Sequence, residues 1–349
     1  MTIISQDALE SKPLQNQRLI DRIQNPFWLA PMAGITEICF RQLMDEMDAG
    51  LLVSELVSAK GLIYNSQKTR QMMGIHPRRK SLVGVQLFGE TAEDMAEAAR
   101  IVEEEGADFV DVNLGCPVKK VVKKGCGAAL LREPARLERY LSEIQRAISL
   151  PLTVKMRTGW DQHELTIHDC VKAAQNAGCE WAAIHGRTRA QGYDGFADWE
   201  LIARVKAGTS LPIIGNGDIR DAETARQRLR ESGVDAVMIG RGALRNPWIF
   251  RECLGRDGRT PEGSLALIRR FQVLLEDCYD LRHILLNLRK FAVWLAFGYP
   301  GAAAFRGNMF RLHSTREVVE QIEEFFTRAA AYPIPVFANN EAFMMGGHG

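Results

Sequence analysis

The sequence predicts an α/β protein, a (β/α)8 TIM barrel extended by a C-terminal helical domain. Three observations carry this expectation. Eight short apolar runs rich in β-branched residues recur with room for a helix between neighbours. Nearly all of them lack apolar–polar alternation, which points to parallel strands buried on both faces. Beyond about residue 256 the apolar runs stop and helical periodicity continues alone. The 349 residues suit a barrel of roughly 250 residues plus an extra module.

The expected strands cover residues 27–33, 51–54, 82–88, 109–114, 152–156, 181–185, 212–216 and 236–240. Between them, residues 91–105 place Ala, Met and Ile on one face and acids on the other, with Thr91 as the N-cap. Residues 136–148, 165–177 and 222–232 read the same way. Several of these helices run into a small-residue turn such as Ser232-Gly233, as a left-handed C-terminal glycine requires. An open doubly wound sheet is the rival architecture. It normally announces itself with G-x-G-x-x-G after the first strand, whereas this strand runs into Ala30-Pro31-Met32-Ala33-Gly34. The division expected is a barrel over residues 1–255, a helical domain over 256–332 and a weakly ordered tail over 333–349. Within the helical part, residues 264–279, 281–297 and 314–330 have helical periodicity, and Gly298-Tyr299-Pro300-Gly301 breaks the second from the third.

Composition sets limits on function. A content of 46% hydrophobic and 25% charged residues is that of a globular chain with a core, and a net charge of +1 demands that any nucleic-acid surface gather its cations on one face. The seven cysteines form no C-x-x-C pair, so neither a zinc site nor a disulfide framework is expected, and reduced thiols in a cytoplasmic setting follow. The N-terminal stretch has no apolar core of a signal peptide, and no run approaches the ~18 apolar residues of a membrane span. No metal, no membrane and no obligate protein partner are expected, and the chain is read as a monomer.

Barrel active sites form at the C-terminal ends of the strands, so the residues following each strand are the candidates. Strand one ends in Pro31, Met32 and Ala33; strand three carries Gln86; strand four ends in Asn113 and Cys116. Strand five carries Lys155 and Arg157, strand six His185, Arg187 and Arg189, strand seven Asn216, Gly217 and Asp218, and strand eight Gly240 and Arg241. Glycines after strands seven and eight allow backbone N–H groups to approach a phosphate, with a short helix behind it and Arg241 in reach. The plainer reading is that Gly217 and Gly240 serve tight turns. Lys155 closes an apolar run and would stabilise negative charge in the mouth, although a Schiff-base lysine or a structural ion pair has the same appearance. His185 suits a phosphate or substrate contact, or simply a core position. Cys116, in a Gly-Cys-Pro turn, is placed to give a proton to a carbanion once hydride has reached the neighbouring carbon. A buried small hydrophobe is the usual fate of cysteine, and Cys126 is read that way.

Together these segments carry a resemblance. APMAGIT, DVNLGCPVKKVVKKGCGAALL, VKMRTGW, HGRTRAQGYDGFADW, IIGNGDI and VMIGRGALRNPWIF, in colinear order from about Trp28 to Phe250, resemble the tRNA-dihydrouridine synthases, and among them the bacterial B-type branch. The resemblance implies FMN held by Pro31, Met32, Ala33, Gln86, Asn113, Lys155, His185, Asn216, Gly217, Asp218, Gly240 and Arg241. It implies NADPH or NADH as reductant, hydride transfer to carbon 6 of a uracil in tRNA, and Cys116 as the acid toward carbon 5. A uridine entering a barrel mouth must leave its stack, which demands a grip on the RNA backbone. Lys119, Lys120, Lys123, Lys124, Arg187 and Arg189 near the catalytic loop are candidates for that grip. So are Arg282, Arg289, Lys290, Arg306, Arg311 and Arg316, from a stretch that contains no acid. Ribosomal RNA as substrate, an FMN barrel acting on a free small molecule, and an RNA-binding protein without activity remain the alternatives.

Overall fold

The computed structural model describes residues 17–335. Residues 1–16 and 336–349, which hold the expected leaderless N-terminus and most of the expected tail, lie outside the described residues. The strands are β1 (Phe27–Leu29), β2 (Leu51–Ser58), β3 (Leu82–Phe88), β4 (Phe109–Leu114), β5 (Leu152–Arg157), β6 (Ala182–His185), β7 (Ile213–Asn216) and β8 (Ala236–Ile239). All pair in parallel in the order β1-β8-β7-β6-β5-β4-β3-β2. A backbone bond from Gly50 N–H to the Phe27 carbonyl, 2.8 Å, brings the two ends of that order together. The expected (β/α)8 barrel is the observed architecture.

The helices among the described residues are α1 (Ile38–Glu46), α2 (Ala59–Ile63), α3 (Gln67–Met73), α4 (Ala92–Glu104), α5 (Lys119–Val122), α6 (Pro134–Ala147), α7 (Ile167–Asn176), α8 (Trp199–Ala207) and α9 (Ala222–Ser232). After β8 come α10 (Gly242–Arg245), α11 (Ile249–Cys253), α12 (Pro261–Cys278), α13 (Leu281–Ala296), α14 (Ala302–Met309) and α15 (Thr315–Ala329). Thr91 caps α4 by accepting the Asp94 N–H at 3.2 Å, and Gly233 ends α9 in the left-handed region. None of these helices is long and apolar enough to cross a membrane.

Strand alternation divides the barrel interior into two levels. On β4, Phe109, Asp111 and Asn113 share the inner face, one above the other. At the lower level Trp181 packs against Trp28 and Phe109, both with ring centroids 5.1 Å away, so the barrel floor is a filled apolar plug. Above it, the strands turn polar. Cross-strand register sets Gln86 beside Asp111, Asn113 beside Lys155 and His185 beside Asn216. A chain that buries aromatics below and amides, a lysine and a histidine above has built a floor for a ligand.

Two strand boundaries differ from expectation by more than one residue. The first strand ends at Leu29, because Pro31 has no N–H for the ladder and the Met32 N–H turns instead to Thr36 Oγ1 at 3.0 Å. The second continues to Ser58 through a register shift between Val53 and Leu56, burying Glu55 where an acid had marked the end of the apolar run. The helix α14, within the stretch after the Gly298–Gly301 breaker, was not anticipated.

The appended helices share a continuous apolar layer with the barrel shell. Phe40 of α1 meets Phe271 of α12 and Phe291 of α13 edge-on, at 6.3 and 6.1 Å. Arg270 grips Glu46 across the same seam with two bonds of 2.8 and 2.6 Å. The turn-rich connection before α12 is pinned by buried Arg259, whose guanidinium donates to Ser264 Oγ and to the Arg245 and Leu295 carbonyls.

Candidate active site

Two adjoining cavities open at the C-terminal ends of the strands and share Pro31, Met32, Lys155, His185, Tyr193 and Arg241. One extends toward Gly217, Asp218, Gly240 and Gly242 at the ends of β7 and β8. The other extends toward Gln86, Asn113 and Cys116 at the ends of β3 and β4, with Ala33 on its rim. The structure therefore brings the expected cofactor residues and the expected acid to one mouth.

At the β7–β8 end the backbone itself makes the space. Gly217 sits at φ +134°, and a Cβ there would lie 2.4 Å from the Ala197 Cβ and 3.3 Å from the His185 ring. Asp218 follows in the left-handed region at φ 52°, unusual for a residue with a side chain. Its carboxylate accepts the Ala197 N–H at 2.7 Å and pairs with Arg187 at 2.9 Å and Arg241 at 3.9 Å. Asp218 is thus a hub that ties the loop after β6 to the loops after β7 and β8. Gly217→Ala is expected to cost about 1–3 kcal/mol from strain and crowding. A fall in Tm of several degrees in thermal unfolding checks this, and an unchanged Tm contradicts it.

Lys155 donates to Asn216 Oδ1 at 3.0 Å, and Asn216 Nδ2 donates to the Met238 carbonyl at 2.7 Å, fixing which end of the amide faces the lysine. Burial, then Arg157, lower the Lys155 pKa to about 8. Below Lys155, Asp111 accepts from Gln86 Nε2 at 2.7 Å and Thr153 Oγ1 at 2.6 Å, and burial raises its pKa. His185 is held neutral by burial and by the cations Arg157, Lys155, Arg187 and Arg241 around it. A mouth that crowds four cations around one ring, with Asp218 pairing two of them, is short of negative charge. Its chemistry suits an anionic ligand.

The Cys116 loop is held from below and from the side. Asn113 Oδ1 accepts the N–H groups of Gly115 at 3.2 Å and Cys116 at 2.9 Å, while Asn113 Nδ2 donates to Gln86 Oε1 at 2.8 Å. Arg157 Nε donates to the Gly115 carbonyl at 3.0 Å, and its Nη1 donates to the Thr188 and Gly192 carbonyls, both at 2.8 Å. Arg157 thereby couples the Cys116 loop to the loop after β6. Burial raises the Cys116 pKa, so the thiol stays protonated at neutral pH, as a proton donor must. Cys126 is buried. Asn113→Ala is expected to lower kcat by roughly 10–100-fold through loop misplacement. Asn113→Asp, which keeps the acceptor, is expected to recover part of the rate; equal loss in both variants would count against a positioning role.

The expected backbone-gripping cations divide. Lys119, Lys120, Lys123 and Lys124 are exposed on and beside α5, next to Cys116. Arg187 is 2% exposed, its guanidinium committed to Asp218 and to the Asp194 and Gly195 carbonyls, so it shapes the loop after β6 from within. Arg189 is half-buried against the Trp160 ring, 4.5 Å from its centroid. Arg282, Arg306, Arg311 and Arg316 are exposed, Lys290 is half-buried, and Arg289 donates to the Leu312 carbonyl.

Three residues were not singled out from the sequence. Glu55, buried on β2, accepts the Gly34 N–H and so braces the loop after β1. Asp111 anchors the amide chain beneath the cavity. Tyr193 is 56% exposed and lies between Arg241 and Arg157, their guanidinium carbons 4.3 and 5.8 Å from its ring centroid.

The fold alone is shared widely. At 12% identity and a TM-score of 0.54, the barrel superposes on histamine dehydrogenase from Rhizobium sp. 4-9, over 88% of this chain and 63% of that one. At 14% identity and the same TM-score it superposes on 6-hydroxypseudooxynicotine amine oxidase from Pseudomonas geniculata, over 67% and 47%. Closer likeness lies in sequence. The chain is 39% identical over 314 residues to tRNA-dihydrouridine synthase B of Pseudomonas aeruginosa, covering 87% of this chain and 93% of that protein. It is 37% identical over 316 residues to the protein of the same name from Shigella flexneri, covering 88% and 98%. A probable tRNA-dihydrouridine synthase of Rickettsia bellii is 36% identical over 306 residues, covering 86% and 94%. The sequence profile of the dihydrouridine synthases matches residues 28–331, which takes in the barrel, the mouth with Cys116 and Lys155, and the appended helices: the chain belongs to the dihydrouridine synthase family.

Proposed function

We propose that the protein reduces the 5,6 double bond of specific uracils in tRNA, using FMN bound in the barrel mouth and NADPH as reductant. The observation that carries this reading is one continuous mouth with a cation-rich, glycine-walled end at β7–β8 and a protonated cysteine at the other. Family membership and the names of the relatives support the reaction and the RNA class.

The residues present fit the cofactor. Gly217, Gly240 and Gly242 line the end suited to its phosphate, with Arg241 beside them as counter-charge. Pro31, Met32 and Ala33 wall one side, and Gln86 and Asn113 present amides toward the other cavity. When bound, FMN supplies the hydride that the protein cannot supply itself. Lys155 offers its ammonium to the negative charge that accompanies such chemistry, and Asn216 keeps it aimed. Neutral His185 adds no competing charge. Cys116 gives its proton to carbon 5 of the uracil as carbon 6 becomes saturated, and Asn113 and Arg157 fix where that thiol stands. The four exposed lysines around α5 hold RNA phosphates over the mouth.

The test is reconstitution. Purified protein is expected to carry FMN and, with NADPH, to form dihydrouridine in tRNA taken from cells lacking the gene. Protein that binds no flavin, or a flavoprotein that reduces a free small molecule and leaves tRNA unchanged, overturns the proposal.

A further inference from the structure

A second concavity, about 460 Å³, lies outside the mouth where α10 meets the appended helices. Arg245 of α10, Lys290 and Trp294 of α13, Phe297 of the following turn, and Arg306 and Phe310 of α14 and its C-terminal cap line it. Phe310 is 50% exposed and Phe297 37%. Large rings clustered at a surface mark a binding site more often than they occur by chance. Their surroundings restrict what binds. No acid lines the groove, and the sequence from Leu281 to Arg316 contains none, whereas three cations do line it. The Arg245 guanidinium carbon stands 3.5 Å from the Phe297 ring centroid, so this wall is both aromatic and cationic.

Such a groove complements a ligand that is flat and apolar at its centre and negative at its edges. It also adjoins the chemistry. The short helix α10 follows directly from Arg241 in the mouth and ends at Arg245 in the groove. Lys290 acts electrostatically on Glu55, the residue that braces Gly34 at the rim of the mouth. A single nucleic-acid strand can therefore occupy both places.

We propose that this groove receives one unpaired base of the RNA substrate, distinct from the uridine that enters the mouth, stacked against Trp294, Phe297 and Phe310 with its flanking phosphates on Lys290 and Arg306. The inference rests on RNA being the substrate. It adds a reason for position choice: the reduced uridine is the one that sits a fixed span from a base able to leave its stack.

The test uses the flavin-loaded full-length protein and two substitutions at exposed positions. Phe310→Ala removes a stacking wall, and Ala303→Trp fills the groove without emptying any core. Binding is read by fluorescence anisotropy with a labelled single-stranded oligouridine, a blunt RNA duplex of equal length, and tRNA. Both variants are expected to weaken oligouridine and tRNA binding by about 5–100-fold, as loss of one base stack implies. Duplex binding is expected to hold, and Arg306→Gln to lower the salt slope for tRNA by about one. Wild-type protein that binds no RNA and forms no dihydrouridine overturns the groove and the proposed function together. Wild-type protein that forms dihydrouridine while both variants bind RNA as before overturns the groove alone. A concentration-dependent dimer dispersed by Ala303→Trp with RNA affinity unchanged also overturns it, in favour of an interface between copies.

Discussion

Cys116→Ala is expected to lower dihydrouridine formation by about 10²–10⁴-fold, the range for loss of a positioned general acid. Flavin binding and NADPH oxidation are expected to survive, because the thiol stands at the opposite end of the mouth from Gly217 and Gly240. The physical basis is a pKa raised by burial, which keeps the thiol protonated where a thiolate would be useless as an acid. Cys116→Ser offers a control, since a hydroxyl fills the same place with a weaker acid and is expected to fall between alanine and wild type. Single-turnover assays with pre-reduced enzyme separate the steps. A normal product rate in Cys116→Ala would remove the residue from the chemistry.

Lys155→Met is expected to lower the rate of uracil reduction by about 10²–10³-fold, the scale of losing one preorganised charge donor. It also carries a distinctive pH signature. Burial lowers the Lys155 pKa from its ordinary 10.5 to about 8, so the unfolded chain holds this proton more tightly than the native one. Between about pH 8 and 10.5 the unfolded state therefore binds more protons, and native stability attributable to this group rises with pH across that window. Below pH 8 both states are protonated and the burial penalty is fully present. In denaturant unfolding of the flavin-free protein, the stability of the wild type relative to Lys155→Met should rise across that window, a difference in which the opposing contribution of the cysteines, whose thiols burial pushes up, cancels. The activity of the wild type is expected to fall as pH passes 8, since the neutral amine no longer stabilises negative charge. A difference between the two proteins that stays flat over the window contradicts the assignment.

The barrel was legible because its strands are buried on both faces and announce themselves as unbroken apolar runs. The helix residues 222–232 were read to the residue, since Asp221 caps one end and Gly233 closes the other. Cys116, Lys155 and His185 were visible because they interrupt or end apolar strands at the catalytic face. Glu55 was missed for the same rule turned around: an acid inside an apolar run reads as the end of a strand, and only the register shift on β2 reveals it as buried. Tyr193 lies on a loop with no periodicity to mark it, and its position between Arg157 and Arg241 depends on the end of β5 and the segments after β6 and β8 meeting. Arg187 shows the limit of counting cations. Its charge is visible in sequence, but only the fold shows that Asp218 and two carbonyls have already taken it. The groove on α13 and α14 had a partial signal in the acid-free aromatic stretch, yet which rings face outward is set by packing against α10.

The central claim is that this mouth makes dihydrouridine in tRNA with Cys116 as the acid. Its most direct test is mass spectrometry of nucleosides from bulk tRNA of the source organism with the gene deleted and then restored. Loss of dihydrouridine on deletion, recovered by the wild type and not by Cys116→Ala, is the predicted result. Unchanged dihydrouridine on deletion, or full recovery by Cys116→Ala, would contradict it.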